Sequence, residues 1–344
     1  MALNKKTRKV PNGARVVQET LELTIDQALI MAVAAKKAEG LRDRTLKDYE
    51  KHYGYFIKWL REKHPEIEYV NDITVALIRD HISYMRYDQR RYEGHTNINS
   101  ENQRVGLTDT TVNIRLRTLK AIFNQLVKDE LLDVSPFDKV KLLRQDIDLT
   151  NRLTDDEVKA ILAQPNQRDF VGFRDYVGMV LMLDSGLRIS ELLELRVLFI
   201  DFQTRFISIP ADKSKNRKER MVPISAYSAK LLLQLVEENR QFFTTDRIFM
   251  SSFCEPLAAN NYTKRLKYYG EKAGVSGKKM TAHVYRHTWA HAMTTDGADP
   301  FTLQKMGGWA DIRTMRRYIQ MDTRDIRKSH DEHSPVGRFI KKRK

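Results

Sequence analysis

Apolar residues recur at helical spacing through the first third of the chain. Thr24 and Gln27, three apart, make a capping-box pattern ahead of Ala28, Leu29, Ile30 and Val33 and so predict a helix start. Tyr49, Tyr53, Phe56 and Leu60 fall at i, i+4, i+7 and i+11 on one helical face, with Thr45 as the expected cap. A third helix is expected from about Thr74 through Ile78, Ile82 and Met85. A fourth runs from near Thr108 through Val112, Leu116, Leu119, Phe123 and Leu126. Between these two, Tyr87–Gly106 is polar and rich in Asn, Gln and Arg, the pattern of a long loop. Ser135-Pro136 closes the fourth helix, and residues 139–152 are polar without a period, which marks a linker.

The texture then changes. Thr154 and Glu157 form a second capping box, and Phe170–Leu183 is nearly apolar, as a buried helix would be. Ser185-Gly186 breaks it, and Ile189–Leu195 resumes as a short helix. Phe199–Phe202, Arg205–Ile209 and Arg220–Ile224 have the composition of three short antiparallel strands. Helices are expected over Ala226–Asn239, Leu257–Ala273, Ala282–Thr295 and Asp299–Met306, with a short one near Asp311–Ile319. The fold class is therefore mostly α with a small antiparallel β-sheet, and the 344 residues suit about two domains.

Composition narrows the partners. Lys and Arg number 60 against 45 Asp and Glu, a formal charge of +15 that suits a polyanion. Basic residues cluster at both ends, in Lys5–Lys9 and Arg338–Lys344. The helical first third carries Arg42, Arg44, Lys47, Arg115, Arg117 and Lys120 on polar faces. Those charges fit a bundle pressed on DNA and equally fit an ordinary solvated surface. No uncharged stretch much exceeds about ten residues, short of the roughly 18 that a membrane span needs, so no membrane partner is expected. The basic start lacks a following apolar region, and Cys254 is the single cysteine. A secretory signal and a disulfide framework are both unexpected, and a reducing cytoplasm is the natural compartment.

Four stretches of the second half carry candidate chemistry. Ser185-Gly186-Leu187-Arg188 sets an arginine just after a tight turn, with Glu191 three residues later. Ser214–Arg220 is a polar turn between two strands and contains Lys215. His283, Arg286 and His287 share one helical face. Gly307-Gly308-Trp309 is followed by Tyr318. Singly, these are a salt bridge, a solvated hairpin, and core aromatics. Jointly they meet the needs of phosphodiester cleavage by a side-chain nucleophile. Two arginines fork onto phosphoryl oxygens, and a tyrosine hydroxyl conserves the bond energy in a phosphotyrosine link. A lysine protonates the leaving 5′ oxygen, a histidine assists proton transfer, and the cations are already present, so no metal or other cofactor is expected.

The order SGLRISELLELR, SKNRKERMVPI, HVYRH and GGWADIRTMRRYI resembles the tyrosine site-specific recombinases, the phage-integrase family, from about Leu23 to Asp322. The resemblance implies a basic tail over 1–22 and a helical, SAM-like core-binding domain over 23–138. The linker over 139–152 then leads to a catalytic domain over 153–325. A C-terminal segment, 326–344, is placed to pack on a neighbouring protomer. It also implies that Arg188 and Arg286 bind the scissile phosphate, that Tyr318 is the nucleophile, and that Glu191 helps to order the site. Lys215, eight residues before Pro223, is similar to the family's hairpin general acid, and His283 to the first residue of its HxxR pair. Where many members carry histidine, this chain has Trp309, whose indole N–H donates but carries no transferable proton. His287 is read as a buried structural residue. The implied partners are double-stranded DNA bearing recombination sites and three further copies in a homotetramer; an accessory DNA-bending protein is left open. The implied activity is that of a site-specific recombinase or integrase, the kind of enzyme that mobile genetic elements carry.

Three other readings stand beside it. His283, His287 and His291 recur at i, i+4 and i+8, but zincin chemistry wants Glu directly after the first histidine, and residue 284 is Val. A non-catalytic DNA-binding regulator on the same fold is the stronger alternative, because fold alone does not guarantee activity. Type IB DNA relaxation or hairpin telomere resolution keeps the chemistry, but the small size and helical N-terminal part favour recombination.

Overall fold

The computed structural model describes residues 23–91, 104–145, 152–212, 218–312 and 323–336. The chain divides into two compact units, Met1–Asp146 and Ile147–Lys344.

The first unit is helical: α1 (Ile25–Ala38), α2 (Asp43–Lys63), α3 (Val75–Tyr87) and α4 (Asp109–Lys128). Thr24, Thr74 and Thr108 cap α1, α3 and α4 through their hydroxyls, and Thr24 and Gln27 close the expected capping box. Thr45 is not a cap. The chain enters α2 at Arg42, in extended backbone, after Gly40 turns with φ +77°. Asp43 then meets the positive end of the helix dipole, and Thr45 lies inside the first turn.

The bundle closes on Tyr53, Phe56, Leu60, Ile78, Leu116, Phe123 and Phe137. Only a narrow stripe of α1 (Ile25, Ala28 and Ala32) is buried, and these small side chains admit α2 and α4 closely. Ile30, expected on the apolar face, stays 68% exposed. The polar stretch after α3 is pinched at its base by an Arg90–Val105 bridge, where Gly106 (φ +82°) lies so close to the Arg86 carbonyl that a Cβ would clash. Residues 140–145, in the expected linker, hold to this unit. Val140 and Leu143 pack on its core, and the Asn113 amide pairs with the Leu143 backbone in both directions at 2.9 Å.

The second unit contains α5 (Asp155–Leu162), α6 (Phe170–Ser185) and α7 (Ile189–Leu193), then β1 (Ile200–Asp201), β2 (Phe206–Ile209) and β3 (Arg220–Pro223). After the sheet come α8 (Ala226–Phe242), α9 (Ala259–Lys272), α10 (Ala282–Thr295), α11 (Pro300–Gly307) and a further helix, Thr323–His333. Thr154 and Glu157 form the second expected capping box, and Asp299 with Pro300 starts α11.

The sheet is antiparallel in the order β1-β2-β3, with Ile207 opposite both Ile200 and Val222. It is shorter than the apolar runs suggested. Phe199 belongs to a 3-10 turn, and Arg205 (φ +58°) closes the turn into β2. The core collects α6, α8, α9, α10 and the inner face of the sheet. Beside it, Trp289, Leu303 and Trp309 form a smaller cluster. The short helix expected near 311–319 falls outside the described residues from 313 onward. Thr323–His333 showed no apolar stripe and was not anticipated; all but one of its residues are polar or charged. Among the described residues no helix is long and apolar enough to cross a membrane.

Candidate functional site: an arginine pocket in the second unit

The pocket is assembled around a helix end. α6 stops at Ser185, and Gly186 turns in the left-handed region (φ +61°) against the Trp289 ring, where no Cβ would fit. That turn delivers Arg188 to the start of α7. Its backbone N–H and guanidinium both donate to Glu191, at 2.9 Å each. Its second terminal nitrogen donates to the Gly308 carbonyl at 2.7 Å, a contact spanning 120 residues.

Glu191 is buried, and it accepts a second fork from Arg220, at 3.0 and 2.6 Å. Burial alone would raise its carboxyl pKa; the hydrogen bond and charge of Arg220, then the charge of Arg188, hold it below the usual range.

Arg286, on α10, is 2% exposed. It donates to the Gly186 carbonyl and, at 2.5 Å, to the Gly307 carbonyl, with its guanidinium over the Trp309 ring at 4.2 Å. Trp309 stacks in turn on Trp289, ring centroids 6.0 Å apart. Arg220 donates through Nε to the Met306 carbonyl at 3.0 Å. Three successive carbonyls at the end of α11 (Met306, Gly307 and Gly308) are therefore held by three guanidinium groups. These oxygens have no intrahelical partner and carry the negative end of the helix dipole, so cations are their natural mates.

The expected residues distribute as follows. Arg188, Glu191, Arg286 and Trp309 come together as described. His283 is exposed, one turn ahead of Arg286. His287 is half-buried rather than buried; burial, then the charges of His283 and Arg286, lower its pKa to about 4. Lys215 and Tyr318 lie outside the described residues.

Arg220 was missed. It sat in a run read as a solvated turn, although β3 alternates inward and outward and places Arg220 in register with buried Val222. A cleft of about 540 Å³ opens beside the pocket, with Lys218, Arg220, Phe301, Lys305 and Trp309 among its walls.

In the first unit, Arg42, Arg44, Lys47 and Arg117 are exposed, and Lys120 is half-buried with its ammonium toward the Phe137 carbonyl at 3.4 Å. Arg115 corrects its expected place on a polar face. It is buried, lies 4.1 Å over the Tyr55 ring and donates to Gln89 at 2.9 Å. An arginine on α4 facing an aromatic on α2 gains more from stacking than from solvation.

Residues 151–324 match the phage integrase family, and residues 27–142 match the phage integrase SAM-like domain. The tyrosine recombinase XerC of Chlamydia trachomatis serovar L2 is 30% identical over 228 residues, covering 65% of this chain and 71% of that protein. The tyrosine recombinase XerD of Vibrio cholerae serotype O1 is 22% identical over 300 residues, 86% of this chain and 92% of that one. In fold, the Tn1549 transposon integrase, solved with a circular intermediate DNA, superposes with a TM-score of 0.70 at 21% identity, over 90% of this chain and 99% of that one. The likeness takes in both units, and on that breadth the chain belongs to the phage integrase family of tyrosine recombinases.

Proposed function

We propose that this recombinase cuts and rejoins double-stranded DNA at specific sites through a 3′-phosphotyrosine intermediate and a Holliday junction. The observation that carries the proposal is the gathering of Arg188, Arg286 and Trp309 at one helix end, with Glu191 ordering Arg188. Arg188 and Arg286 take the scissile phosphate and offset the charge that grows on its oxygens in the transition state. The Tyr318 hydroxyl attacks phosphorus, the bond to the 5′ oxygen breaks, and Lys215 supplies the proton that makes it a hydroxyl. His283 assists the proton movements, and Trp309 packs and orients Arg286. The partner strand's 5′ hydroxyl then attacks the phosphotyrosine link and releases Tyr318; a second round resolves the junction.

The exposed basic residues of the first unit (Arg42, Arg44, Lys47 and Arg117) grip the phosphate backbone. The chain works as a homotetramer in the cytoplasm, and its C-terminal segment packs on the next protomer.

The test is a nicked duplex taken from the DNA flanking the gene, reacted, denatured and examined for a covalent protein–DNA adduct. An adduct that disappears in Tyr318→Phe establishes the enzyme and its nucleophile together. Tight, specific binding without an adduct would replace the proposal with the regulator.

A further inference from the structure

Arg220 is a buried arginine that the proposed reaction leaves without a role. Its side chain is 6% exposed, and it engages both oxygens of Glu191, whose own side chain is 1% exposed. Its remaining edge points at the Met306 carbonyl. The chain makes room for it: Gly308 turns with φ +63°, and a Cβ there would come 3.1 Å from the Arg220 guanidinium. β3 thereby joins the end of α11 to the start of α7 through a single side chain.

The electrostatic consequence falls on Arg188. Glu191 carries one negative charge and faces two guanidinium groups. With Arg220 present, each Glu191 oxygen is shared, Arg188 gives it one terminal nitrogen, and the cluster keeps a net positive charge beside the pocket. Without Arg220, Arg188 and Glu191 would form a neutral pair, and the guanidinium would be free to turn its whole fork onto the carboxylate. Burial would raise the Glu191 pKa, and the hydrogen bond and charge of Arg220, with the charge and backbone N–H of Arg188, lower it.

We propose that Arg220 is a positioning residue for strand cleavage: by occupying Glu191 and the Met306 carbonyl it reserves the charge and orientation of Arg188 for the scissile phosphate. This rests on the reading of Arg188 as a phosphate ligand. A residue acting in this way matters only where the phosphate is charged. The test compares adduct formation by the full-length chain on two versions of the nicked duplex that yields the wild-type adduct. One carries the natural phosphodiester and the other an uncharged methylphosphonate at the cleaved position.

Arg220→Met is expected to slow the phosphodiester by ~10²-fold while leaving the methylphosphonate within about threefold of wild type, the size expected for one lost electrostatic contribution. Arg220→Lys, which keeps the charge but lacks the fork, falls between; it carries the test if Arg220→Met does not fold, with thermal unfolding as the monitor. Equal slowing on both duplexes, or no slowing, overturns the inference. Arg188→Ala calibrates it. If that variant loses both substrates equally, the phosphate reading of Arg188 itself fails; if it is selective and the Arg220 variants are not, only the role of Arg220 falls.

Discussion

Among the described residues of the second unit, two carboxylates are buried against arginines, Asp175 and Glu191, and their surroundings differ. Asp175, fully buried on α6, receives Arg174 through Nε and a terminal nitrogen, Arg265 through Nε at 2.7 Å, and the Tyr269 hydroxyl at 3.0 Å. Burial and the Asp175 charge push the Tyr269 phenol up, which keeps its hydroxyl a donor. Two guanidinium groups converge on one carboxylate, and the last nitrogen of Arg174 finishes on the Met250 carbonyl.

Around Glu191 the setting differs. Two guanidinium groups, Arg188 and Arg220, again meet one carboxylate, but a third beside them, Arg286, donates to the carbonyls of Gly186 and Gly307. A carbonyl dipole orients a guanidinium without cancelling its charge. The first cluster is glue for α6 and α9; the second lies beside an open cleft. If Arg188 and Arg286 take the phosphate as proposed, the two clusters differ in what adjoins them: a packed helix pair around Asp175, an open cleft beside Arg220 and Trp309.

That contrast can be broken most forcefully at Arg286. Arg286→Ala removes a guanidinium held on the Gly186 and Gly307 carbonyls over the Trp309 ring, and adduct formation should fall by ~10³-fold per folded molecule; a fall under about tenfold would place Arg286 with the glue. The converse substitution is Asp175→Asn. It strands two buried or half-buried arginines and should lower unfolding free energy by about 3 kcal/mol in a denaturant titration. The adduct rate of the molecules that remain folded should stay unchanged, and a large loss of rate would erase the distinction between the clusters.

A smaller effect separates the two by pH. Unfolded, His287 takes up a proton near the ordinary 6.5; folded, it does so only near 4. Stability is thus intact above about pH 6.5 and drains as pH falls toward 4, since the unfolded chain binds the extra proton. The melting temperature of wild type should drop across that window by more than that of His287→Gln. An identical profile would mean that the imidazole is not held neutral beside Arg286.

Much of this molecule was legible from local pattern. Ala282–Thr295 begins and ends where its periodicity predicts, and both capping boxes formed, because each depends on residues three or four apart. Arg188, Glu191, Arg286 and Trp309 were found by chemistry and family likeness, and they do converge. What stayed hidden depends on distant chain. Thr45 had the right side chain for a cap, but the turn at Gly40 brings Arg42 to that position first. Arg115 looked like a surface charge until α2 supplied Tyr55. Arg220 lay in a run of charges, and its partners Glu191 and Met306 are 29 and 86 residues away. No periodicity encodes such pairings.

The three carbonyls at the end of α11 also have a consequence in time. Their partners at 188, 220 and 286 are made earlier by the ribosome, yet none has its full set of partners before Met306, Gly307 and Gly308 exist. Contacts of such sequence separation form late in folding, while the first unit, a separate compact body, is synthesised before the second. The residues of the N-terminal bundle thus all exist well before the arginine pocket can be completed. The pocket is complete only once α11 has been made, so a chain terminated before Met306 lacks the carbonyls that three guanidinium groups share.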